Sequence, residues 1–245
     1  MDFEYCDFYK TDTMKPLKNF KFLLAALLVL PAAATSCSNM DSDFADFTLN
    51  PDALVTVKTT ADGQSYFQVD SLTTLEPTAW TNGYGKEVRA LLKYSETSKK
   101  SDRFSRTVKV QWIDSVRTKS PVLYDEEFKK VEGASVTIYD DWLTVCEDGY
   151  LSLHIAAWWG RSRNIQHYID LGVDPQTNDL YLRHNSNGDV TDLTIAESFV
   201  AFKLDDVLTD VKAGDLLTLH WQDYNGERTV KFKYSPRFTL PDSSK

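Results

Sequence analysis

Cys37 is the residue whose setting most narrows its chemistry. It follows Leu30-Pro31-Ala32-Ala33-Ala34-Thr35-Ser36, an apolar run that closes in small residues. Small side chains let a chain lie extended in a peptidase groove, and Ala32-Ala33-Ala34 would also serve an ordinary A-x-A cleavage site. A cysteine directly after them supplies a thiol that can take a diacylglyceryl thioether. The expectation is a bacterial lipoprotein processing site, with Cys37 lipidated and first in the mature chain. The competing reading is a secreted protein with an incidental cysteine.

Other chemistry is harder to assemble. The four histidines, His154, His167, His184 and His220, lie in the second half on predicted strands. None stands in H-x-H or H-E-x-x-H spacing, so no metal site is expected. Asn185-Ser186-Asn187-Gly188-Asp189 hints at a calcium loop, but that frame needs an acid at Arg183 and a glutamate at Thr194. A tight turn with positive φ at Asn187-Gly188 is expected instead. Gly83-Tyr84-Gly85 lacks the third glycine and the helix of a nucleotide fingerprint. No G-x-S-x-G elbow is present. Asp140-Asp141 and Asp205-Asp206 read as solvated turns. No catalytic residue and no cofactor is expected, and the chain reads as a non-enzyme.

The aromatics are the remaining candidates. Adjacent Trp158 and Trp159 on one strand must point to opposite sheet faces. One of them can cover a domain junction, or stack on a sugar or a protein partner. Trp80 and Tyr84, around a glycine-rich connection, are the other candidates for ligand or partner contact. Packing into the barrel or the interdomain seam is the competing expectation for all four.

Charge and cysteine use bound the class. Residues 1–13 carry Asp2, Glu4, Asp7 and Asp12 against Lys10, which does not suit export. Met14 instead precedes Lys15, Lys18 and Lys21 with no acid between them. The apolar run over 22–34 is shorter than the roughly 20 residues that span a bilayer. Residues 1–36 are therefore read as a signal peptide starting at Met14. The chain has 27 bases and 36 acids, a net charge of −9. The leader holds equal numbers of each, so the balance survives its removal. Such a chain repels phosphate backbones, which argues against nucleic acid as a partner. Cys6 falls in the leader and Cys37 is spent on lipid. Cys146 alone remains, so no internal disulfide is expected, and its apolar run makes it a buried small hydrophobe.

These residues need elements to position them. Residues 37–48 read as a polar tether with Asp41, Asp43 and Asp46. Residues 49–130 carry about five short strand signals with Asp62-Gly63 and Asn82-Gly83 turns, which suits an OB-like five-stranded barrel. The charged run 125–130 is taken as the boundary. Residues 131–245 hold about seven or eight strands, punctuated by Asp148-Gly149, Asn187-Gly188 and Asn225-Gly226, and suggest an antiparallel β-sandwich. The class is all-β.

The residues also carry a likeness. Leu180-Tyr181-Leu182-Arg183-His184-Asn185-Ser186-Asn187-Gly188-Asp189, Tyr150-Leu151-Ser152-Leu153 and Trp158-Trp159-Gly160 resemble the sandwich domain of NigD-like lipoproteins of Bacteroidales bacteria. Asp62-Gly63, Leu75-Glu76-Pro77, Leu91-Leu92-Lys93-Tyr94 and Val110-Gln111-Trp112-Ile113 resemble the family's N-terminal OB domain. The resemblance implies a signal peptide, lipidation and an OB-like barrel before a sandwich. It brings no catalytic residues. The expected function is a lipid-anchored envelope protein, at the outer membrane, that binds or scaffolds an envelope protein or glycan. The alternatives are an envelope polysaccharide hydrolase, suggested by the acidic, aromatic-rich sandwich, and a bacteriocin immunity lipoprotein, suggested by the family name.

Overall fold

The computed structural model describes residues 9–10, 51–131, 133–160, 165–189, 193–208 and 210–240. Cys37, the apolar run before it and the polar tether lie outside the described residues. Among the described residues no helix is long and apolar enough to cross a membrane. After a two-residue strand, β1 (Tyr9–Lys10), the chain builds a closed barrel and then a two-sheet sandwich.

The barrel strands are β2 (Ala53–Thr59), β3 (Ser65–Gln68), β4 (Thr74–Pro77), β5 (Val88–Glu96) and β6 (Arg106–Ser115), closed in the order β2-β3-β4-β6-β5. Period-2 alternation sends Val55, Val57, Phe67, Leu75, Val88, Ala90, Leu92 and Val108 inward to one core. The turn after β2 carries Gly63 at φ 86°, a left-handed conformation that an L side chain resists. A register shift at Lys93/Tyr94 bends β5 against β6, as β-bulges do in small barrels.

The sandwich contains β7 (Arg117–Lys119), β8 (Val122–Leu123), β9 (Thr137–Ile138), β10 (Val145–Glu147), β11 (Tyr150–Trp159), β12 (Tyr168–Val173), β13 (Leu180–Asn185), β14 (Thr194–Lys203), β15 (Leu216–Asp223) and β16 (Gly226–Lys233). One sheet runs β1-β14-β11-β10, with β7 beside β14 and β9 beside β11; the other runs β16-β15-β13-β12-β8. The long pairs, β11 with β14 and β15 with β16, are antiparallel. Three further pairs are parallel: β7 with β14, β8 with β12, and β13 with β15. Leu151, Leu153 and Ile155 of the first sheet meet Ile169, Leu171, Leu180, Leu217 and Leu219 of the second in one core.

The change from barrel to sandwich falls at Val116, ahead of the charged run 125–130. β7 and β8 precede that run yet pair within the sandwich sheets. The run itself forms a one-turn helix, α1 (Glu126–Lys129), capped by the Asp125 side chain, which accepts from the Glu127 and Phe128 amides. Phe128 drops onto Gly172 of β12, where a Cβ would lie 3.0 Å from the ring. The Arg183 guanidinium lies over that ring, 4.0 Å from its centroid. The segment is thus docked on the second sheet.

Candidate functional site

The charged residues of the barrel converge where its outer face meets the sandwich. Thr56, Lys58, Tyr66, Gln68 and Arg89 alternate with the inward valines, so they face out of the barrel. All five are buried, because the Asp148-Gly149 turn of the sandwich and the chain after β16 lie on them. Lys58 Nζ donates to Asp148 Oδ1 and to the Phe238 carbonyl, both at 2.7 Å. The Phe238 amide donates to the same carboxylate oxygen at 2.6 Å. Arg89, fully buried, donates to Thr56 Oγ1 at 2.9 Å and to Glu147 Oε2 at 3.3 Å. Tyr150 Oη donates to Glu87 at 2.6 Å, and Arg237 pairs with that same glutamate.

Burial sets the electrostatics of this seam. Desolvation pushes the Lys58 ammonium below its usual range, against the pull of Asp148. It lowers Arg89 against the pull of Glu147, and raises the Glu147 carboxyl. Such groups stay charged only because each has an opposite charge within reach. The turn itself needs two left-handed residues, Asp148 at φ 51° and Gly149 at φ 78°. That is the favoured hairpin geometry for Asp-Gly. The chemistry of the cluster is therefore adhesive.

Two loops of the barrel are also tied together. In OB folds the loops after the first and fourth strands flank the binding face. Here Arg103 from the loop between β5 and β6 donates twice to Asp62 in the loop between β2 and β3, at 2.9 and 3.1 Å. Phe104 stacks on Tyr66 at 5.2 Å and covers the aromatic ring of that face.

The sequence-selected aromatics separate. Trp80 and Tyr84 pack against the barrel core, with Trp80 5.0 Å from Phe67 and 6.5 Å from Tyr84. Trp159 turns inward and stacks on His167 at 3.7 Å. Trp158, on the opposite face of β11, pairs across to Ile195 of β14 and lies half-buried. Of these four residues only Trp80 and Tyr84 are brought together.

Two histidines meet where spacing showed nothing. His167 Nδ1 lies 2.9 Å from His184 Nε2, and His184 Nδ1 lies 2.9 Å from the Ser135 carbonyl. A carbonyl only accepts, so His184 carries its proton on Nδ1 and accepts from His167 at Nε2. Asp189 Oδ2 stands 3.3 Å from His167 Nε2. Both rings are buried, and desolvation lowers both below the ordinary imidazole value. The signal available beforehand was the alternation that placed both rings on inward positions. His154 belongs elsewhere: it lies between the Tyr139 and Phe199 rings, with Asp141 at 2.6 Å and Glu197 at 3.5 Å. His220 stacks on Tyr181, which stacks on Tyr124 at 3.6 Å. Among the described residues no three His, Cys, Asp or Glu side chains are placed to hold a metal ion. A recess between the sheets, lined by Arg117, Lys119, His167, Tyr168, Ser198 and Phe199, encloses about 20 Å³, room for about one water.

Residues 54–116 match the NigD-like N-terminal OB domain, and residues 120–234 match the NigD-like C-terminal beta sandwich domain. Among solved structures, the chain is similar to a protein of Parabacteroides distasonis described as toxin-related, at 27% identity and a TM-score of 0.61, covering 75% of this chain and 92% of that one. It is also similar in fold to a Bacteroides vulgatus protein of unknown function, at 19% identity and a TM-score of 0.59, covering 78% and 91%. A NigD-like immunity protein from Bacteroides caccae aligns at 19% identity and a TM-score of 0.49, covering 74% and 91%. No curated protein matches the chain. With both domains matched in their order along the sequence, the chain belongs to the NigD-like family.

Proposed function

We propose that this protein is a lipid-anchored component of the cell envelope, held at the outer membrane through Cys37, and that it acts as a non-catalytic binding or scaffold module. The observation that carries the module reading is the fate of the barrel's outer face. Lys58, Arg89, Thr56, Tyr66 and Gln68 are spent on holding the sandwich. The OB loops are closed by Asp62 and Arg103. Recognition is therefore left to surfaces of one joined body, presented clear of the membrane by residues 37–48. The small residues before Cys37 and the basic segment after Met14 support the anchor.

The test is made in cells. Wild-type chain should incorporate an alkyne-tagged fatty acid and fractionate with membranes. Cys37→Ala should lose both and leave the two β domains folded, as read by circular dichroism. Membrane retention of the Cys37→Ala chain after signal cleavage refutes the anchor. Crosslinking on intact cells then recovers the partner. Glycan or peptide hydrolysis by the purified protein, abolished by changing one carboxylate, refutes the non-catalytic reading.

A further inference from the structure

The chain after β16 carries neither strand nor helix from Tyr234 to Leu240. It is nevertheless tied down along its length. Tyr234 is buried in the sandwich core. Its amide donates to the Asp215 carbonyl at 2.7 Å, and its carbonyl accepts from the Gly214 amide at 2.8 Å. The Ser235 carbonyl accepts from the Gly149 amide at 2.8 Å. Arg237 then reaches two ways: it pairs with Glu87 of the barrel and stands 3.5 Å from Asp205 of the sandwich. Phe238 has both backbone groups engaged, its amide on Asp148 of the sandwich and its carbonyl on Lys58 of the barrel.

Lys58, Asp148 and Phe238 thus close a ring of three bonds, at 2.7, 2.7 and 2.6 Å. Each member touches the other two, and the three come from the barrel, the sandwich and the tail. Asp148 Oδ1 takes both bonds of its carboxylate, because Oδ2 has no partner among the described residues. Without Phe238, the carboxylate loses one of two donors and the ammonium one of two acceptors. The tail also keeps water from this pair, and an ion pair open to water holds far less than its geometry suggests. A second tie depends on the tail as well: Glu87, which accepts from Tyr150, is the carboxylate that Arg237 pairs with.

Connectivity makes such ties matter. Within residues 51–240 the chain passes from barrel to sandwich once, at Val116 between β6 and β7. Two domains joined through one crossing swing about it unless further contacts stop them. We infer that residues 235–240 are a strap that clasps the barrel to the sandwich, and that the two domains hinge at Val116 when the strap opens. The inference rests on the reading of the protein as one joined body, and names what joins it. Release is cooperative, because opening the strap admits water to Lys58 and Asp148 and weakens the pair that is left.

Backbone ¹⁵N relaxation and amide exchange test it on the chain from residue 37. The strap's contacts draw on no described residue before Lys58, so a failed anchor reading leaves the test intact. In wild type the barrel and sandwich amides should report one rotational correlation time; two different times there refute the joined body, and the strap with it. Phe238→Pro removes the amide that Asp148 accepts, and Arg237→Ala removes the link to Glu87 and Asp205. Together they should shorten the barrel's correlation time at least about 1.3-fold relative to the sandwich's. The Gly149 amide, which loses its acceptor on Ser235, should exchange at least about tenfold faster. Faster Gly149 exchange with a single correlation time overturns the clasp, and so does no change in either. Phe238→Ala keeps both backbone bonds and should match wild type; loosening equal to that of Phe238→Pro overturns the ring of bonds as the clasp. Where the double variant fails to fold, Arg237→Ala alone should shift both readouts in the same direction, and wild-type values of both overturn the strap.

Discussion

Asp148→Asn should uncouple the barrel from the sandwich while leaving both backbones in place. Asp148 is fully buried and its Oδ1 accepts from both Lys58 Nζ and the Phe238 amide. Lys58 is 5% exposed. Asparagine keeps an oxygen for both donors and tolerates the φ of 51°. What it removes is the negative charge that offsets a desolvated ammonium. Taking one partner from a buried ion pair costs about 3–5 kcal/mol. Because the hydrogen bonds survive, the lower end, about 3 kcal/mol, is expected. That is a large share of the roughly 5–15 kcal/mol that holds a domain folded. Urea unfolding at pH 7, followed by tryptophan fluorescence, reads it: a single transition in wild type should move to lower urea and split in two. Lys58→Met alone should cost a similar amount, since it leaves the carboxylate unpaired. The double variant Lys58→Met/Asp148→Asn should cost less than the two losses added, by about 2 kcal/mol of coupling. A single-variant loss within about 0.5 kcal/mol of zero, or strictly additive losses, would refute the claim that this pair joins the domains.

Gly172→Ala should destabilise the sandwich by about 1–3 kcal/mol, because the new methyl meets the Phe128 ring at 3.0 Å; Phe128→Leu should restore most of the urea midpoint. The His167–His184 pair should make the protein acid-labile. Both folded values lie below the unfolded one of about 6.5, so their contribution is complete above that pH and is lost as pH falls toward the folded values. Each imidazole adds a slope of up to about 1.4 kcal/mol per pH unit, and His184→Gln should flatten the fall between pH 6.5 and 5 in urea titrations. Cys146 is buried and its thiol is pushed up to about 11 by desolvation, so labelling by a disulfide reagent at pH 8 should proceed only as fast as the protein unfolds.

The parts legible in the sequence are those set by local rules. Alternation in residues 53–59 and turn pairs such as Asp148-Gly149 and Asn187-Gly188 do not depend on distant neighbours; both pairs turn the chain with positive φ, which was expected at Asn187-Gly188. What sequence hid is the second burial of a strand. Leu54, Thr56 and Lys58 of β2 alternate with Val55 and Val57 as a solvent face would, yet that face is covered. Nothing near Lys58 in sequence announces Asp148, ninety positions on. A lysine or arginine read from one chain defaults to the surface, since charged residues are rarely buried unless paired. The pairing exists only once two domains meet. The same reason explains the run 125–130: its charges suggest a linker, while Phe128 finds its place only against a glycine on another strand.

That asymmetry bears on how the protein recognises anything. A barrel that spends its charged face on a neighbouring domain has exchanged a binding surface for a fixed orientation. Lys58, Arg89, Tyr150 and Arg237 hold that orientation through side chains with few alternative partners inside the seam. The features left at the sandwich surface, exposed Ile195 with half-buried Trp158 beside it and the half-buried Tyr124–Tyr181–His220 stack, are then held in one frame. Variants that loosen the seam should therefore weaken binding even when they touch neither surface. Asp148→Asn, measured for amide exchange in β10 and β11 under conditions where it remains folded, separates a rigid body from two independent domains: unchanged exchange in those strands would mean that the barrel plays no part in holding that sheet.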